Sequence, residues 1–142
     1  MEITPDFIRG LIAGEGCFTF STRREGSLNK KVKIPTFSLK MHVRDKELLI
    51  AVRNTLGLKT KIYEYNHDRR RYALLIIRNI GDIKDIIIPF FYNKLAGHKA
   101  TQFSQWLEKF NEPDIAESYR FIYRLYKNGY YNRNRADDKK KF

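Results

Sequence analysis

The stretch Phe7-Ile8-Arg9-Gly10-Leu11-Ile12-Ala13-Gly14-Glu15-Gly16-Cys17-Phe18 decides how the rest of the chain is read, because it sets one carboxylate, Glu15, among glycines at the end of a short apolar helix. Thr4 is suited to cap that helix, Pro5 fits its first position and Asp6 favours the positive end of its dipole. Phe7, Ile8, Leu11 and Ile12 fall on one broad apolar face. Gly10, Ala13 and Gly14 make a second face of small residues, where another backbone can approach closely. Gly14 and Gly16 end the helix, and the alternation of Phe18 and Phe20 predicts a strand leaving it. The carboxylate is thereby presented at a helix-to-strand junction.

Working outward, residues 17–25 read as a first strand, Gly26-Ser27-Leu28-Asn29 as a turn and residues 31–44 as a second strand, with Pro35 marking a bulge or an edge position. Phe37, Leu39, Met41 and Val43 are expected to face a helical layer, and Ser38, Lys40, His42 and Arg44 the other side; Thr19, Ser21 and Arg23 do the same opposite Phe18 and Phe20. Asp45 is placed to cap a helix with an apolar stripe of Leu48, Leu49, Val52 and Leu56, which Gly57 stops. A second hairpin, residues 59–65 and 70–78, flanks Asn66-His67-Asp68, and its Leu74-Leu75-Ile76-Ile77 run predicts fuller cover. A helix from Ile80 is expected to end at Pro89, another covers residues 99–111, and Pro113 is expected to open a last one reaching Lys127. The reading is one domain over residues 1–127, followed by a basic, mobile tail over residues 128–142 with little to bury.

Composition narrows the partner. A chain of 142 residues is the size of one domain and buries roughly 70% of its unfolded surface. One cysteine allows no internal disulfide, and three scattered histidines fit no zinc spacing. No apolar run reaches the ~18 residues of a membrane span, so a soluble, intracellular protein without a membrane partner is expected. The 28 Lys and Arg against 16 Asp and Glu give +12, an excess that attracts polyanions. It is concentrated in the two hairpins: residues 23–46 carry eight basic residues against Glu25 and Asp45, and residues 59–71 carry five against Glu64 and Asp68. Interleaved tyrosines suit contacts to sugar, phosphate and base edges. The expected nucleic-acid contacts are therefore Thr19, Ser21, Arg23, Arg24, Lys31, Lys33, Ser38, Lys40, His42, Arg44, Lys61, Tyr63, Tyr65, Arg70 and Tyr72.

Residues 8–16 are similar to the motif of the LAGLIDADG homing endonucleases: Gly10, Leu11, Ile12 and Gly16 are identical, Ala13 stands where the family has its first aspartate, and Glu15 takes the place of the second acid. The order of strands and helices to about Trp106 also resembles the family's αββαββα unit. The resemblance implies an α+β fold, an antiparallel sheet with helices on one face and a concave DNA-binding face. It implies a homodimer, since a single motif per chain leaves a second chain to supply the second acid; Phe7, Gly10, Leu11, Ala13 and Gly14 would form the interface. It further implies Mg²⁺, with Mn²⁺ or Ca²⁺ able to take its place, held by Glu15 and the Gly14 backbone carbonyl. The implied reaction is hydrolysis of both strands of a long, partly palindromic DNA site across a compressed minor groove, leaving short 3′ overhangs. Lys99 is the first choice for the family's active-site lysine and Lys94 the second. His42 and Arg44 fall where the family supplies a polar residue that positions water, although its usual glutamine is absent. The alternatives are an RNA-splicing maturase or a non-cleaving DNA-binding regulator of the same fold, and a purely structural dimer module. Glu15 argues against non-cleaving binders, since an acid aimed at phosphates lowers affinity.

Overall fold

The computed structural model describes residues 1–133. Helix α1 (Pro5–Glu15) starts as its sequence dictates, with the Thr4 hydroxyl accepting the Phe7 N–H at 3.0 Å and Pro5 in the first turn. It runs directly into β1 (Gly16–Glu25), which pairs antiparallel with β2 (Lys30–His42) around a turn closed by Gly26 and Asn29, both at positive φ. A 3₁₀ turn (Val43–Asp45) leads to α2 (Lys46–Leu56), stopped by Gly57 at φ 78°. The second hairpin, β3 (Tyr63–His67) and β4 (Arg70–Ile77), turns through Asp68 and Arg69, with Asp68 at φ 52°. The four strands form one antiparallel sheet in the order β1-β2-β4-β3.

Alternation separates the faces of this sheet. Phe18, Phe37, Leu39, Ala73, Leu75 and Ile77 are buried beneath the helices, where Ile8 and Ile12 of α1 and Leu49, Val52 and Leu56 of α2 join them. The rest of the helical layer is α3 (Ile80–Asp82), a π-helical turn (Ile83–Ile87), α4 (Ile88–Phe91), α5 (His98–Glu108), a 3₁₀ turn (Lys109–Asn111), α6 (Glu117–Lys127) and α7 (Tyr130–Arg133). Phe18 is the hub of the core: its ring lies 4.9 Å from Phe103, 5.1 Å from Trp106, 5.4 Å from Phe37 and 5.7 Å from Phe91, mostly tilted or edge-on, geometries that aromatic quadrupoles favour. The residue that follows the glutamate by three thus ties β1 to three other elements.

Several expectations are corrected. Pro89 does not end its helix. The turn before it is wound wide, with the Ile88 N–H reaching back five residues to the Ile83 carbonyl, and the helix runs through Pro89 to Phe91. Pro89 has no N–H to give the preceding turn, and the Lys84 carbonyl, five residues before it, accepts the Tyr131 hydroxyl instead. Pro113 opens no helix: residues 113–114 form a turn closed by the Ile115 N–H on the Glu112 carbonyl at 3.1 Å, and Ile115 bridges parallel to Lys33 of β2, with the Lys33 N–H donating to the Asp114 carbonyl at 2.7 Å and the Ala116 N–H to the Lys33 carbonyl at 2.9 Å. This segment takes the place that β4, which pairs only with residues 37–42, leaves open along β2. Strand β2 ends at His42, and β3 begins only at Tyr63. Residues 128–133, expected to begin the tail, instead turn into α7, where Tyr131 is buried and donates its hydroxyl to the Lys84 carbonyl at 3.1 Å. The remainder of that tail lies outside the described residues.

Candidate active site and nucleic-acid face

Glu15 closes α1. Gly16 is extended there, its N–H donating to the Ile12 carbonyl, so the chain leaves the helix immediately after the acid. The Glu15 side chain is exposed, and among the described residues no hydrogen bond or ion pair engages its carboxylate. It stands at the negative end of the helix dipole, a position that suits a cation and not a lone acid. Ile8 and Ile12 are fully buried, whereas Phe7 is 47% exposed and Gly10 and Gly14 lie open; a Cβ built at either glycine meets nothing within 4 Å. The apolar face expected for α1 is therefore split: Ile8 and Ile12 serve this protomer, while Phe7, Gly10, Leu11 and Gly14, at helical spacing, form a stripe with less cover.

Helix α5 is fastened to β1 beside that corner. The Lys99 ammonium donates to the Gly16 carbonyl and, at 3.2 Å, to Gln102 Oε1; the Phe18 N–H points to the same Oε1 at 3.5 Å, and Trp106 Nε1 donates to the Thr19 carbonyl at 2.8 Å. Lys99, Gln102 and Trp106, at i, i+3 and i+7, share one stripe of α5. A lysine is thus held against the residue after Glu15. Lys94 lies in the loop before α5. His42 ends β2, where its Nδ1 accepts the Arg44 N–H at 3.1 Å and caps the 3₁₀ turn; only Nε2 is left for other work. Arg44 belongs to that turn, not to the strand, so its expected place on the strand face is corrected.

The sheet face away from the helices carries Thr19, Ser38, Lys40, His42, Arg70 and Tyr72 by alternation, with Tyr63 and Tyr65 in register on β3. Tyr65 stacks on Tyr72 at 4.9 Å, and the Lys40 ammonium lies 5.0 Å from the Tyr72 ring centre, a cation–π contact. Lys61 precedes β3 and sits 5.5 Å from the Tyr63 ring. Leu74 and Ile76 are half-buried on this same side, in register with Lys40 and Ser38, so the run read as fully covered is covered on one side only. Arg24, Lys31 and Lys33 have the opposite parity, sharing the side of Phe20 and Pro35. Lys33 is ion-paired with Asp114 at 3.0 Å. These three were expected on the contact face, and strand alternation moves them off it. Arg23 has the contact-face parity but is ion-paired with Glu25, and Ser21 is engaged inside the sheet, its hydroxyl 2.8 Å from that of Thr36.

The family model of the LAGLIDADG endonucleases matches residues 8–110. The chain belongs to that family. Solved structures agree with the fold: the homing endonuclease I-TnaI is 23% identical, with 90% of this chain and 99% of that one covered at a TM-score of 0.64. The LAGLIDADG homing endonuclease I-LtrWI, bound to its target DNA, is 27% identical over 73% of this chain and 35% of its own, TM-score 0.64. I-SmaMI, bound to uncleaved DNA target in the presence of calcium ions, is 23% identical over 89% of this chain and 44% of its own, TM-score 0.64. This chain thus spans about a third of I-LtrWI and under half of I-SmaMI. No curated protein sequence matches it.

For a LAGLIDADG endonuclease, the donor set at Glu15 is informative. Among the described residues no three His, Cys, Asp or Glu side chains come together to hold an ion. One exposed carboxylate and the neighbouring Gly14 carbonyl are hard oxygen donors at a negative helix end, and they fit a hard cation that takes few protein ligands. Among the described residues no helix is long and apolar enough to cross a membrane. Sequence reasoning did not find Gln102, Thr36 or Arg78. The spacing of Gln102 between Lys99 and Trp106 was a legible signal for the first; the other two depend on register across three strands.

Proposed function

We propose that the protein is a divalent-metal-dependent DNA endonuclease that works as a homodimer on a long, partly palindromic double-stranded site. The observation that carries this is the exposed, unengaged Glu15 carboxylate at the end of an α1 stripe whose two glycines are open to a second copy. Two α1 helices packed through Phe7, Gly10, Leu11, Ala13 and Gly14 would bring two Glu15 side chains to one axis. Glu15 and the Gly14 carbonyl of each protomer would hold Mg²⁺, with Mn²⁺ or Ca²⁺ able to substitute. The ion, when bound, supplies charge neutralisation on the phosphate and a water of lowered pKa. The chain's own contribution is positional. Lys99, tethered to the Gly16 carbonyl, sets a positive charge one residue from the acid, where it can meet phosphate oxygens. Thr19, Ser38, Lys40, Tyr63, Arg70 and Tyr72 offer a polar and aromatic surface to the major groove, where strands read base edges and basic residues fix register on phosphates. Cutting both strands across the minor groove would leave short 3′ overhangs.

The test is incubation of the protein and a Glu15→Gln variant with a plasmid library of partly palindromic sites, with Mg²⁺ and with EDTA. Double-strand cutting by the wild type alone, and only with metal, supports the reading. Equal cutting by Glu15→Gln would reassign the chemistry, and sedimentation of a cutting-competent monomer would remove the dimer. The same purified protein, offered an intron-containing RNA, would report maturase activity through splicing without DNA cleavage.

A further inference from the structure

Thr36, at 1% exposure, is the one buried side chain among the described residues that carries a polar group without an aromatic ring. Its Oγ1 donates to the Ile34 carbonyl at 2.8 Å. With that proton spent, the 2.8 Å contact to Ser21 must run from the serine hydroxyl to the threonine oxygen. Ser21 Oγ in turn accepts Arg78 Nε at 3.2 Å. Every donor in this relay has a fixed direction, and its outer end is a guanidinium pinned through Nε, with no hydrogen bond or ion pair at its two Nη groups among the described residues. The Tyr119 hydroxyl donates to the Arg78 carbonyl and fixes the backbone as well. Burying a hydroxyl is unfavourable unless it is fully satisfied, and here the satisfied network serves to orient one arginine.

The arginine opens on a cleft of about 510 Å³ lined also by Arg23, Asn79 and Ser118, with no carboxylate among its lining residues. It lies at the end of β4, on the side of the sheet that carries Thr19 and Ser38. A planar fork held by its Nε and free at its Nη pair is matched to two oxygens of one tetrahedral anion.

We propose that this cleft is a binding subsite for a backbone phosphodiester of the nucleic acid, with Arg78 as its principal ligand and Ser21 and Thr36 as positioning residues; this rests on the nuclease reading above. Ser21 lies five residues along β1 from Gly16, a span of about 17 Å. With β1 laid along the duplex axis, as the proposal has it, a rise of about 3.4 Å per base pair puts the phosphate it holds about five base pairs outward from the one beside Glu15. Each half of a dimer would grip its DNA arm there, on the side of the Gly16–Leu39 pair away from Lys40, Tyr72 and Arg70.

The experiment measures equilibrium binding of wild type, Arg78→Ala and Arg78→Lys to one cleavable duplex across a salt series, and to duplexes with a single neutral methylphosphonate walked outward from the cut. Arg78→Ala should bind about tenfold more weakly, and its slope of log affinity against log salt should fall by about one per protomer. Arg78→Lys should keep the slope but not the affinity. Wild type should lose affinity when the phosphate about five base pairs out is neutralised, and Arg78→Ala should be indifferent to that change. Melting curves establish that the variants are folded, and should Arg78→Ala fail that check, the Lys variant and the wild-type methylphosphonate walk decide. If wild type binds and cuts but Arg78→Ala keeps its slope and its sensitivity to every phosphate, the subsite is wrong and the nuclease reading stands. If wild type binds no duplex at all, both fall together.

Discussion

Replacing Gly10 with leucine separates assembly from stability, because the two should move in opposite directions. A Cβ at Gly10 meets nothing within 4 Å inside the protomer, so the substitution creates no internal clash. Glycine in a helix interior is less favourable than leucine by roughly 0.5–1 kcal/mol, and the isolated protomer should gain about that much. For a domain of this size the gain raises the melting temperature by roughly 1–4 °C. Between two α1 helices the same side chain sits where the backbones must approach, and it forces them beyond the 8–10 Å typical of packed helices. Dimerisation should be lost and double-strand cutting with it. Because association itself raises apparent stability, melting is compared at concentrations where the wild type is monomeric, and sedimentation equilibrium reports assembly. A Gly10→Leu protein that still dimerises and cuts at the wild-type rate would refute the α1 interface. One that is markedly less stable as a monomer would show that Gly10 packs internally after all.

Glu15→Gln keeps the shape of the side chain and removes its charge. Cleavage should fall by orders of magnitude while filter binding persists, tightening in EDTA because a carboxylate near phosphates is repulsive until a cation screens it; loss of binding and fold together would return Glu15 to a structural role. Lys40→Ala should weaken DNA binding and lower the salt slope, with the circular dichroism spectrum unchanged. Phe18→Ala, which empties the centre of four ring contacts, should cost about 3–5 kcal/mol in denaturant unfolding. Burial, and then a hydrogen bond with Glu108, push the Tyr126 hydroxyl up to about 12. Its contribution is fully present below its unfolded value near 10 and is lost as pH rises toward 12, so Tyr126→Phe should flatten the alkaline fall in stability over that window.

The core and the strand faces were legible because period-two and helical alternation carry them: Phe18, Phe37 and Leu39 turn inward, and Lys40 and Tyr72 turn out. The place of Glu15 at the end of α1 was legible because Thr4 and Pro5 mark the start of that helix and Gly16 its end. The parity of Arg24, Lys31 and Lys33 was also written in the sequence, but the density of charge in the first hairpin masked it. Other features rest on contacts that no local pattern encodes. Pro89 survives mid-helix through the π-helical winding of the turn before it, and the turn at residues 113–114 is set by the pairing of Ile115 with the bare edge of β2. The Arg78 relay needs Ser21 of β1, Thr36 of β2 and Arg78, the residue after β4, in one register.

The fastening of α5 onto β1 also bears on how this molecule avoids the wrong partner. β1 is an edge of the sheet, and a ten-residue edge strand with bare backbone invites pairing with another copy. Here the Gly16 carbonyl, the Phe18 N–H and the Thr19 carbonyl are already engaged by Lys99, Gln102 and Trp106, while the opposite edge, β3, is only five residues long. Strand-to-strand aggregation is discouraged at both margins, and self-recognition is left to the surface of α1.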